Sequence, residues 1–123
     1  MLRSLRRVAA CVCAALVLPA AASSVTVEEC FEGSDFIANA ARARENGISR
    51  SAFIARMQDD FELIHAYPPA LRWFAKDDDD ERFLLDAARA VFDVPDSPEG
   101  HRARFLEACF ARSRSEERRV GKE

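Results

Sequence analysis

Cys30 and Cys109 stand near the two ends of the part of this chain that carries helical patterning, and joining them would dictate its topology more than any other pair of residues. A bridge between them closes a loop of about 80 residues, which the chain-entropy treatment of the unfolded state values at roughly 4 to 5 kcal/mol as an upper figure. Whether it forms depends on the compartment, because thiols pair in oxidising spaces and stay reduced in the cytosol.

The N-terminus speaks to that. Arg3, Arg6 and Arg7 precede an apolar run from Val8 to Leu18, followed by Pro19 and the small residues Ala20, Ala21, Ala22, Ser23 and Ser24. A basic start, a short apolar run and small residues in this order make a secretory signal peptide. The run falls short of the roughly 20 apolar residues that a spanning helix needs. Residues 1–22 are therefore expected to leave by cleavage near Ala22, taking Cys11 and Cys13 with them, and the remaining protein inserts in no membrane. Two cysteines then face an oxidising periplasm or exterior, and a Cys30–Cys109 disulfide follows. The redox or metal-thiolate alternative lacks a CxxC spacing.

The other end is unusual in a different way. Arg114 to Glu123, RSEERRVGKE, resembles the in-frame translation of a sequencing adapter over all ten codons. It is expected to be a non-native, disordered tail that packs on nothing. The domain proper is then 23–113, a single unit, since a mature chain of about 90 residues buries only about 60 to 65% of its unfolded surface and supports one modest core. Leader and tail hold 3 of the 21 acidic and 7 of the 18 basic side chains, which leaves 18 against 11 and a net charge of −7. So acidic a surface is unsuited to nucleic acid or to anionic membranes.

The periodicity is helical throughout. After an irregular lead-in from Ser23 to Glu29, an Ala-rich helix starts at about Glu28 or Ser34 and runs to Asn46, with Phe36, Ile37, Ala40 and Ala43 at helical spacing. Gly47 stops it in a Schellman arrangement, with Ile48 turned back toward Ala43. Ser49 or Ser51 caps the next helix, whose Phe53, Ile54, Met57, Phe61 and Ile64 recur at i, i+3, i+4. Residues 35–66 thus read as an antiparallel αα-hairpin. Pro68 and Pro69 end it, and Pro69 is pre-set to open a short helix from Ala70 to Ala75. Leu71, Trp73 and Phe74 are expected to lie against the hairpin, with Trp73 as its plug. The other reading of Tyr67, Trp73 and Phe74 is a binding surface.

Asp77 to Asp80 suggests calcium, but an EF-hand loop needs alternating carboxylates, a Gly at its sixth position and a Glu at its twelfth. Helix physics accounts for the run without a metal: Asp78 with Glu81 approximates a capping box, and carboxylates complement a helix N-terminus. That helix runs from about Asp79 to Phe92 and buries Phe83, Leu84, Ala87, Ala88 and Val91. Ser97 and Pro98 then open a last helix to about Ala111, with Phe105, Leu106 and Cys109 on one face. The expected fold is all-α, a bundle of about five short helices with an N-terminal αα-hairpin and one disulfide.

Catalytic chemistry finds little here. His65 and His101 lack HExxH-type spacing, no Gly-rich phosphate loop is present, and no nucleophile stands beside a base, so the expectation is a non-enzyme with no cofactor and no metal. Cys30 at the head of an Ala-rich helix, the Ala43–Ser49 turn, Tyr67-Pro68-Pro69 and the closing Cys109 resemble small exported proteobacterial helical proteins of unknown function. That resemblance covers most of the mature chain and implies no activity. In size, helical content and its single long-range disulfide the chain is also similar to periplasmic acid-stress chaperones. The functional expectation is a periplasmic or secreted protein that acts through protein contacts. The alternatives are an acid-stress chaperone-like protein and a small-ligand or metal binder using the Trp73 region.

Overall fold

The computed structural model describes residues 24–120, with side chains as far as 118. The leader and the last residues of the tail lie outside them. The architecture is all-α: α1 (Val27–Glu45), α2 (Arg50–Ile64), a 3-10 turn (Pro69–Leu71), α3 (Asp78–Asp93) and α4 (Pro98–Val120). Cys30 and Cys109 are bonded, both buried, and join α1 to α4.

Helix α1 takes the earlier of its two expected starts, and a capping box is the reason. Thr26 Oγ1 accepts the Glu29 N–H at 3.0 Å while Glu29 Oε1 accepts the Thr26 N–H at 3.1 Å. Two N–H groups that the first turn leaves open are thereby satisfied. Val25 and Cys30, the two positions that flank such a cap as a hydrophobic staple, both belong to the buried core.

At its other end α1 closes as the sequence indicates. Gly47 adopts φ +92°, its N–H donates to Arg44 O at 3.0 Å, and the Ile48 N–H donates to Ala43 O at 3.0 Å. That pair of bonds is the Schellman motif, and only glycine takes this φ without steric cost. Ile48 nevertheless stays about half exposed. Ser49 Oγ then caps α2 by accepting the Ala52 N–H. α1 and α2, expected to form an N-terminal hairpin, follow one another across this turn and touch through the Phe36 and Phe53 rings.

The most extensive packing, however, lies elsewhere. α1 packs chiefly on α4, then on α3, while α2 packs on α3. Small residues on α1 allow this approach. A Cβ on Gly33 would stand 2.8 Å from a Phe105 ring carbon and 3.2 Å from one of Phe74. Ala38, Ala40 and Ala41 are buried completely. Ile37, Leu84, Leu85, Ala88, Val91, Ile54, Met57 and Phe61 fill the remaining core.

α4 does not stop near Ala111 but continues to Val120. The stretch after Ala111 carries Arg, Ser and Glu without a Pro or Gly before Gly121, so nothing in it breaks a helix already started. The expected disorder of 114–123 is therefore corrected as far as Val120. Its helical bonds are its own: Ser115 Oγ donates to Ala111 O, and Glu116 pairs with Arg112 one turn back.

Candidate functional site

The chain between α2 and α3 has too few regular hydrogen bonds to hold itself, so its neighbours hold it. Arg72 gathers the turn by donating Nε–H to Tyr67 O at 2.8 Å, with its guanidinium also reaching the His65 and Lys76 carbonyls at 3.4 Å. Only Pro69–Leu71 is helical, and Arg72 is already extended, so the expected helix from Ala70 to Ala75 is cut to one 3-10 turn.

Of the three apolar side chains expected to pack inside, Leu71, Trp73 and Phe74, only the last does so. Phe74 is completely buried, whereas Trp73 is 37% exposed and Leu71 is 72% exposed. Phe74 is thus the plug and cannot belong to a binding surface. Its ring stacks on Phe83 at 6.2 Å and meets Phe105 at 5.8 Å. Trp73 lies over the rim, 6.1 Å from the Phe36 ring, with its indole N–H donating to Glu32 Oε2 at 3.3 Å. Tyr67 is exposed.

That Phe74 rather than Trp73 is the plug has a backbone origin. Phe74 sits at φ +58°, and the Ala75 N–H donates to Trp73 O at 2.5 Å, which makes a three-residue γ-turn. A bulky residue in this region costs on the order of 1 to 3 kcal/mol and persists only where its surroundings over-determine it.

Two buried carboxylates do so here. Glu29 Oε2 accepts the Phe74 N–H at 2.5 Å and faces the Lys76 ammonium at 3.0 Å, while its other oxygen caps α1. Asp80 accepts the Lys76 N–H at 3.0 Å and pairs with Arg112 of α4 at 2.6 Å. Lys76 Nζ also donates to Arg72 O. Burial alone would raise the Glu29 carboxyl. The Phe74 and Thr26 N–H groups and Lys76 outweigh it and hold the group below its ordinary value of 4.5. Asp80 is pushed up from its ordinary 3.8 by burial, against the pull of Arg112.

The aspartate run divides its labour. Asp77, not Asp78, is the N-cap of α3, accepting the Asp80 N–H at 2.8 Å. Asp79 pairs with Arg82 at the surface, and Asp80 turns inward. Sequence reasoning missed Glu29, Lys76, Asp80 and Arg112. Thr26-x-x-Glu29 was a readable signal for the first, whereas nothing local marks Asp80 apart from its three neighbours.

The histidines stand apart in role. His65, at the end of α2, pairs with Glu81 of α3. His101 is buried, its Nε2 hydrogen-bonded to Val94 O at 3.1 Å; burial holds it below its ordinary 6.5, with Arg44 and Arg104 acting the same way against Asp96 and that hydrogen bond. Among the described residues no group of three or more His, Cys, Asp or Glu is placed to hold a metal ion.

A groove of about 260 Å³ between α3 and α4 is lined by Ile37, Phe83, Ala87, Ala90, Phe105 and Ala108. Asp86, His101 and Arg104 add its polar lining. No family model, curated protein or solved structure matches this chain.

Proposed function

We propose that this is an exported small helical protein that works in the periplasm through contacts with another protein, made by the end of α2 and the strap, residues 65–77, that joins it to α3. The observation that carries this reading is the exposure of Leu63, Tyr67, Leu71 and Trp73, four large apolar side chains in one short stretch of chain. Apolar side chains gathered at a surface cost solubility unless something covers them, and aromatic residues on a firm support are the usual anchors of an interface. The support is firm here, because Arg72, Glu29 and Asp80 fix the backbone beneath them.

The basic start, short apolar run and small-residue site at Ala22 support export. Osmotic-shock fractionation, with mass measurement of the N-terminus, tests it, and an uncleaved chain retained in the cytosol would end this reading. For the contact itself, a photo-crosslinking residue at position 71 should give a discrete protein adduct in living cells, while one at Arg56 should not. Equal labelling from both positions would show that the strap has no partner of its own.

An acid-stress chaperone-like role is the second reading. It is favoured by one feature: a carboxylate, Glu29, holds the strap over the aromatic core. Suppression of client aggregation at about pH 2 to 3 but not at about pH 7 tests it, since carboxylates are protonated only in the acid arm. No suppression in acid removes that reading and leaves the first intact.

A further inference from the structure

The geometry points to Arg72–Lys76 as the part of the strap that the ionised Glu29 side chain holds shut, and that protonation of Glu29 releases while the disulfide-joined helices stay folded. Three observations converge on it. Phe74 occupies a conformation disfavoured for a bulky residue, so the segment reopens once its restraints weaken. Glu29 provides the restraint at that very residue, accepting the Phe74 N–H and facing Lys76. And α1, which carries Glu29, is bonded covalently to α4 one residue further on, so it does not follow the strap.

The charged groups around the strap act unequally. From α1, Glu29 faces Lys76 and Glu32 holds the Trp73 indole. On the α2 side, His65 pairs with Glu81 of α3, and Arg72 lies along the strap itself. From α3, Asp77 caps its own helix and Asp80 binds the Lys76 N–H, while from α4 Arg112 pairs with Asp80 and Glu116 pairs with Arg112. Once protonated, either carboxyl still accepts its strap N–H through the carbonyl oxygen, and Arg112 keeps Glu116 as a counter-charge when Asp80 is neutralised. Protonating Glu29 instead leaves the largely covered Lys76 ammonium without its counter-charge. Its stabilisation of the strap is complete above pH 4.5 and is lost as the pH falls through the lower value that the folded protein imposes. Release withdraws Phe74 from Phe83 and Phe105 and bares an aromatic socket.

This goes beyond the partner-binding reading and is tested without a partner, so the two fail separately. Trp73 is the only tryptophan and sits on the strap. In the disulfide-bonded protein its emission should shift to longer wavelength in a transition centred below pH 4.5, with the far-UV helical signal unchanged across it. Glu29→Gln preserves the capping box, which accepts Gln as well as Glu, but should show the acid-type emission already at neutral pH and no transition. Glu32→Gln, which alters only the indole's partner, should keep the transition. Coincident loss of emission and helix signal, an unaltered transition in Glu29→Gln, or its disappearance in Glu32→Gln would each overturn the inference. Should Glu29→Gln not fold, amide exchange of the wild-type protein decides: the Phe74 N–H should exchange at least about tenfold faster, relative to α1 amides, at pH values below the transition than above it. Equal protection on both sides would sink the proposal.

Discussion

The α1–α4 face and the strap between α2 and α3 solve the same problem, holding a small core closed, by opposite means. Across α1 and α4 the ties are a covalent bond and close packing around Gly33, Cys30, Phe105 and Cys109. Over the strap they are two carboxylates, two cations and one buried ring. The first set is indifferent to pH and needs oxidation, whereas the second needs charge. A domain of this size has little margin in its hydrophobic core, so the loss of either set is felt.

The largest effect should come from the covalent side. Replacing Cys30 and Cys109 together by Ala should destabilise the protein by up to about 4 to 5 kcal/mol, read from chemical denaturation with and without reductant. Free-thiol labelling of the denatured, unreduced protein should find no reactive cysteine at 30 or 109. If the double variant lost under about 1 kcal/mol, the contrast between the two regions would collapse.

Next comes the plug. Phe74→Ala should cost about 3 to 5 kcal/mol, because the ring is fully buried and its neighbours are aromatic. Trp73→Ala should cost about 2 kcal/mol, since the indole keeps only part of its area covered. Reversal of that order would restore Trp73 as the core residue. Gly33→Ala should follow at about 1 to 3 kcal/mol, as the added methyl displaces the Phe105 ring. A neutral result there would mean that α1 and α4 part without cost.

Two smaller effects sharpen the picture. His101 is held below its ordinary 6.5, so its neutral form favours folding; that stabilisation is full above pH 6.5 and declines as the pH falls toward the lowered folded value. Melting temperature measured over that interval should fall slightly, and less so in His101→Asn. Truncation after Ser113 should change stability by less than about 0.5 kcal/mol, because the side-chain bonds of Ser115 and Glu116 remain within α4. The nucleotides encoding 114–123 test the adapter resemblance separately: codons that depart from the adapter string would end it.

Much of the local structure was legible. Gly47, Ser49 and the pair Ser97-Pro98 mark helix ends by mechanisms that act within a few residues, and all three sit where those mechanisms place them. The spacing of Ile54, Met57 and Phe61 gave the buried face of α2. On α3, Leu85 is buried although it was not expected on the inner face, because that helix meets both α1 and α2 and needs a wider apolar arc. The start of α1 was also readable in Thr26-x-x-Glu29, although Ser23 to Glu29 reads as an irregular lead-in.

By itself, then, the sequence determined an all-α chain, its principal helix stops and the pairing of Cys30 with Cys109, because propensity, caps and an even cysteine count act locally or by elimination. Only the tertiary structure decided which of two adjacent aromatics goes inside. That choice turns on the sign of φ at Phe74, which is fixed by a carboxylate 45 residues earlier in the chain. It also decided which of four identical aspartates caps α3 and which is buried against Arg112. The chain delivers them to α3 in a register set by the strap, and identical side chains carry no sign of which of them will meet a distant guanidinium.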